Sequence, residues 1–102
     1  MPTVQQIEAM LNDTPEDTFL LYALAMELDN EAQHDRSLDI FDKLMKQSPP
    51  YVPAFFMASQ QLVRLDRNEE AKKFLASGIE QAKTQGDSHA AGEMTEFLAS
   101  IE

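Results

Sequence analysis

Residues 52–71 read VPAFFMASQQLVRLDRNEEA, and the fold turns on this stretch. Its apolar residues Phe55, Ala58 and Leu62 recur at spacings of three and four, the periodicity of a helix that buries one face. Pro53 stands near the start, where a fixed φ and a missing N–H suit the first turn of a helix. Further on, Asn68 is a residue type that caps helix starts, and Glu69-Glu70 place negative charge in the positively polarised turn that follows. The stretch is one helix, a short turn, and the opening of a second helix.

The same periodicity continues on both sides. Leu21, Leu24 and Leu28 form one face; Leu38, Phe41, Leu44 and Met45 another; Leu75, Gly78 and Ile79 a third. Runs of alternating Val, Ile or Thr are absent, and glycine is confined to Gly78, Gly86 and Gly92. Thr14-Pro15-Glu16-Asp17 has the order of an N-cap, a proline at the first helical position and two acids in the first turn. Ser48-Pro49-Pro50 stops the preceding helix, and Gly86-Asp87 joins a helix end to a fresh cap. The punctuation predicts six helices, over roughly 3–12, 15–30, 35–47, 53–65, 69–84 and 88–101. Asp39–Lys43, Asp42–Lys46 and Glu69–Lys73 lie at i,i+4 and mark solvated helix faces.

Displacing the sequence by 34 residues brings the helices into register with one another. Leu21 falls on Phe55, Leu24 on Ala58, Ala25 on Ser59 and Leu28 on Leu62. On the second helix of each pair, Ser37 falls on Ala71, Phe41 on Leu75, Leu44 on Gly78 and Met45 on Ile79. Backwards, Thr3, Ile7, Met10, Leu11 and Pro15 precede Ser37, Phe41, Leu44, Met45 and Pro49 by the same interval. Small positions stay small because two helix backbones approach closely there. An all-α stack of helix pairs follows, with a generic helical bundle as the alternative.

These columns resemble the tetratricopeptide repeat family, in its small bacterial type. The large, leucine, small and large columns of the first helix are matched by Leu21, Leu24, Ala25 and Leu28, and by Phe55, Ala58, Ser59 and Leu62. Those of the second helix are matched by Ser37, Phe41 and Leu44, and by Ala71, Leu75 and Gly78, with Pro49 and Pro15 as closing prolines. The resemblance implies a right-handed α-solenoid of antiparallel helix pairs in a single domain over 1–102: a half repeat at 3–14, repeats at about 18–51 and 52–85, and a capping helix at about 88–101. The sequence departs from the family in several places. The usual tryptophan, glycine and tyrosine of the first helix are absent, and Ala32 or Asp66 occupies the inter-helix turn where glycine is usual. Lys83 replaces a third proline, and the last helix fits only with a two-residue insertion, which puts Ala91, Met94, Thr95 and Leu98 in the first-helix columns.

Charge narrows the function. The net charge is −10, from 18 acids and 8 bases, with no Lys or Arg before Arg36. Such a field repels phosphates, which argues against nucleic acid and against anionic membrane surfaces. Solubility alone is the plain account of the acid excess, and attraction of a basic partner is the other. No apolar run reaches the ~18 residues of a spanning helix. The start of the chain lacks the basic and apolar segments of a signal peptide, and there is no cysteine, so the expected location is the cytoplasm.

Enzyme chemistry is not expected, and neither is a cofactor. Ser77-Gly78 lies on a helix without the strand and second glycine of a nucleophile elbow, and no glycine-rich phosphate loop occurs. No metal site is expected either: His34-Asp35, near Asp29 and Glu31, falls in a turn expected to be solvated and lacks the alternating oxygen ligands of a calcium loop. The resemblance implies instead that first helices line a concave groove that takes a peptide. Projected onto this chain, its lining is Phe19, Tyr22, Met26 and Asp29; then Phe56, Met57, Gln60 and Arg64; then His89, Glu93 and Glu96. Since the core columns are already filled, Tyr22, Met26, Phe56 and Met57 are surplus apolar residues, and such clusters mark contact sites or pack on one another. Family members that bind acidic chaperone tails use a basic clamp. Tyr22, Met26 and Met57 stand in its place here, and Arg64 is the one base on that face. The expected partner is a protein or peptide, apolar or amphipathic, with some positive charge. Self-association into a homodimer, and service as an accessory subunit of a larger complex, are the alternatives.

Overall fold

Six helices form among residues 2–102, the part of the chain that the computed structural model describes: α1 (Val4–Leu11), α2 (Thr18–Asn30), α3 (His34–Met45), α4 (Val52–Arg64), α5 (Asn68–Thr84) and α6 (Ser88–Ser100). No strand occurs among the described residues. Each helix packs on the next in sequence; beyond that order α4 also meets α6, and the ion pairs Glu8–Arg36 and Asp29–Arg64 link α1 to α3 and α2 to α4. The molecule measures 38 × 30 × 20 Å, and its short axis is about two helix diameters. It is a two-layered helical solenoid.

Local chemistry sets the helix starts. Thr3 and Gln6 make a reciprocal capping box on α1, so two first-turn donors are satisfied at once. For α2 the cap is Asp17, whose Oδ1 accepts from the Leu20 N–H at 3.0 Å. The expected start at Pro15 is therefore three residues too early: Thr14 donates back to the Met10 carbonyl, and Pro15 and Glu16 form a turn. Asp87 caps α6 through Ala90, as Gly86-Asp87 predicts. Asn68 does not cap α5. It is the first residue of the helix, after Arg67, and its side-chain oxygen is buried without a hydrogen-bond partner. Of the surface pairs, Lys46–Asp42 forms at 2.8 Å, Lys72 takes Glu69 at i,i+3 in place of Lys73, and no bridge joins Asp39 to Lys43 among the described residues.

The core follows the columns of the 34-residue displacement. Leu21, Leu24, Ala25 and Leu28 of α2 are buried, as are Phe55, Ala58, Ser59 and Leu62 of α4 and Phe41, Leu44, Ala71 and Leu75 of the second helices. Small residues let the paired backbones touch, and a hydroxyl crosses each contact. Ser37 donates to the Ala25 carbonyl at 2.7 Å, and Ser59 Oγ lies 2.7 Å from the Phe55 carbonyl and 3.3 Å from that of Ala71.

The turns inside the two helix pairs are alike without glycine. Ala32 and Asp66 adopt φ of 59° and 61°, the left-handed region. In each turn the next N–H reaches back five residues: Gln33 to Leu28 and Arg67 to Leu62, both at 2.8 Å, closing a Schellman motif. An L-residue with a Cβ is strained there by about 1–2 kcal/mol, which glycine avoids at the cost of a more flexible unfolded chain. Ala32→Gly is therefore expected to raise stability by about 0.5–1 kcal/mol. A urea midpoint at or below that of the wild type would contradict it.

Candidate functional site

The outer faces of α2, α4 and α6 bring together six of the residues projected from sequence. A pocket of about 260 Å³ is walled by Tyr22, Val52, Pro53, Phe56, Met57 and Met94, with Asp87, His89, Ala90 and Glu93 around it. A neighbouring depression is formed by Phe56, Phe97, Glu93 and Glu96. Phe56 and Glu93 are thus common to both. No Lys or Arg lines either one.

Aromatic contacts hold the walls in place. The Tyr22 ring stands edge-on to Tyr51 at 5.4 Å and to Phe41 at 6.1 Å. Phe56 meets Phe97 of α6 edge-on at 5.6 Å. The surplus apolar residues are therefore half-buried against the body and against α6, with part of each still facing solvent. Burial, then the neighbouring Tyr51, raises the Tyr22 phenol above its ordinary pKa of 10.0. Its neutral form is the folded one, and that preference is lost as pH climbs through the phenol range.

The remaining projected residues lie outside this pocket. Phe19 is 78% exposed at the start of α2, while Met26 of the same helix packs against the core and Gln60 is half-buried on α4. Asp29 and Arg64 bind each other: the guanidinium grips the carboxylate through two hydrogen bonds, at 2.6 and 3.2 Å. That hydrogen bond, the largest influence, raises the Arg64 pKa against the smaller opposing effect of desolvation. The base of this face is thereby committed within the protein.

Behind the pair runs a polar chain that sequence reasoning missed. His34 is not in a solvated turn; it opens α3, with Nδ1 3.2 Å from Asp29 Oδ1 and 2.7 Å from Gln61 Oε1. A carbonyl oxygen only accepts, so Nδ1 carries the proton. Gln61 is fully buried and donates through Nε2 to Ser37 Oγ at 3.0 Å, and Ser37 donates to Ala25. The chain crosses α2, α3 and α4 and fixes the end of the face opposite the pocket. Also missed were Tyr51, Pro53, Asp87 and Phe97. Tyr51 and Asp87 sit in turns, where periodicity says nothing. Among the described residues no three His, Asp or Glu side chains gather into a metal-holding group, and no helix is long and apolar enough to cross a membrane.

Comparison with solved structures finds a tetratricopeptide repeat domain protein from Salinibacter ruber, determined in solution by NMR. It superposes with a TM-score of 0.80 at 33% sequence identity, over 86% of this chain and 89% of that one. No protein-family model and no curated protein matches.

Proposed function

Since this chain belongs to the tetratricopeptide repeat family, whose fold serves protein–protein interaction, we propose that it holds a protein or peptide segment against the concave face of α2, α4 and α6 and has no catalysis of its own. The observation that carries the proposal is the partly solvated apolar cluster of Tyr22, Phe56 and Met57, bordered by Asp87, Glu93 and Glu96 without a lining base. Such a face suits an apolar or amphipathic segment with positive charge. An acidic tail would meet carboxylates and a guanidinium already bound to Asp29.

Truncating Tyr22 and Phe56 together to alanine is expected to weaken capture of the genuine partner by about tenfold or more, since aromatic anchors dominate such interfaces. Affinity capture from the source cell, wild type beside the double variant, identifies the partner, and calorimetry with that partner gives the ratio. Tyr22→Phe with Phe56→Leu, which keeps the bulk, should retain most of the affinity and so separates lost contact from lost folding. Equal affinity for the alanine variant would sink the assignment of this face.

Phe19, 78% exposed, and Met10, 44% exposed, favour a second reading in which copies associate. Sedimentation across ~0.05–0.5 M salt tests it. A dimer that strengthens with salt, as screening relaxes the repulsion between chains of charge −10, supports self-association, and a monomer throughout removes it.

A further inference from the structure

We infer that the pocket between α2, α4 and α6 is a subsite for one basic side chain of the held segment, with arginine preferred over lysine. The inference rests on the proposed binding face and assigns the place where the partner's positive charge goes. At about 260 Å³ the pocket lies below the ~300–1,000 Å³ of sites that enclose small molecules, and it suits a single long side chain. Its apolar lining comes chiefly from α2 and α4, through Tyr22, Phe56 and Met57, with the fully buried Met94 of α6 beneath. The charged groups come from α6 and its cap: Asp87 and Glu93, with His89 beside them. α2 and α4 thus supply grip, and α6 supplies the sign.

An apolar side chain in this pocket would strip water from two carboxylates and return nothing to them. A basic side chain lays its methylene stem on Pro53, Met57 and Phe56 and brings its head to Glu93. Glu93 is available for this. Its contact with His89 is long, at 3.4 Å, and His89 is 87% exposed. One Asp87 oxygen caps α6 at Ala90, and the residue lines the pocket. Arginine is preferred because its planar guanidinium stacks on an aromatic face while its edge forks to a carboxylate, which an ammonium cannot do.

The test uses the 15N-labelled full chain titrated with three small probes: N-acetyl-argininamide, N-acetyl-lysinamide and N-acetyl-norleucinamide. Saturable amide shifts at Tyr22, Phe56, Met57, Ala90 and Glu93 are expected, with arginine about three- to tenfold tighter than norleucine. Glu93→Gln should bring arginine down to the norleucine level. His89→Lys should do the same by placing a fixed internal cation beside Glu93, at a site too exposed to disturb folding. Norleucine binding as tightly as arginine overturns the subsite while leaving the face an apolar docking surface. Arginine shifts scattered over the acidic surface and unchanged by Glu93→Gln overturn it too, as does the absence of localised shifts from every probe. Lysine equal to arginine keeps the basic side chain and overturns the preference. Failure of the face itself is read separately, in the Tyr22/Phe56 variant with the captured partner.

Discussion

Gln61→Ala is expected to lower the unfolding free energy by about 3–4 kcal/mol, the largest effect of any single truncation proposed for this chain. Gln61 is fully buried and has a bond at each end of its amide: it accepts from His34 Nδ1 at 2.7 Å and donates to Ser37 Oγ at 3.0 Å. Truncation removes both bonds and opens a cavity where α2, α3 and α4 meet. Gln61→Leu separates the two losses. It fills most of the space, and Ser37 keeps its bond to the Ala25 carbonyl, so only about 1–2 kcal/mol should be lost. Urea unfolding of the three proteins checks the order. Leucine as harmful as alanine would mean that the amide's bonds, and not its volume, hold this junction. Alanine within about 1 kcal/mol of wild type would mean that the polar chain contributes little.

Gly78→Ala has the second largest expected effect, about 2–3 kcal/mol of destabilisation, or roughly 10–20 °C in melting temperature for a domain of this size. Gly78 is buried in α5 where α4 and α6 press from either side. A Cβ there would lie 2.6 Å from Phe55 Cβ and 2.7 Å from Met94 Sδ. The thioether can swing aside. Phe55 Cβ moves only with its backbone, so α4 and α5 must separate. Alanine's better helix propensity returns about 1 kcal/mol and does not offset the clash. Near-ultraviolet circular dichroism should also lose the signal of the Phe56–Phe97 contact as α6 loosens. A melting temperature equal to or above that of the wild type would show that the helices shift apart at little cost.

Gly78 and Gln61 also show what was legible in the sequence. Gly78 falls 34 residues after Leu44, and the exchange of a large residue for none is the signature of a packing column in which Phe55 and Met94 supply the missing bulk. The core columns and the two glycine-less turns were legible because the repeat states each of them twice. Gln61 was not. A glutamine beside a buried leucine has the pattern of a surface residue, and its partners His34 and Ser37 lie 27 and 24 residues away. His34 went to the turn because α3 starts one residue earlier than the pattern suggests. Thr14 and Asn68 looked like caps by residue type, but Asp17 offers a carboxylate nearer the apolar face of α2, and α5 begins without any side-chain cap. On the candidate face, Tyr22, Phe56 and Met57 stand out as apolar residues left over from the core, and His89, Glu93 and Glu96 follow from projecting the groove columns that the family resemblance implies. Phe97 was hidden because the two-residue insertion breaks the register of α6, and Tyr51 and Asp87 because turns carry no period.

The order of packing, each helix on its neighbour in sequence, has a consequence for how the molecule folds and how it would respond to a partner. No distant segments have to meet before burial begins, so low contact order permits rapid folding from any adjacent pair, and the ends fray before the middle. α1 packs chiefly on α2, with the Glu8–Arg36 pair at 3.1 Å and Ile40 as its links to α3, and it is the first to let go. A segment lying across α2, α4 and α6 would reinforce the few ties between helices that are not consecutive, Asp29–Arg64 and Phe56–Phe97 among them, acting as a strut along a ladder whose rungs otherwise rest mainly on those beside them.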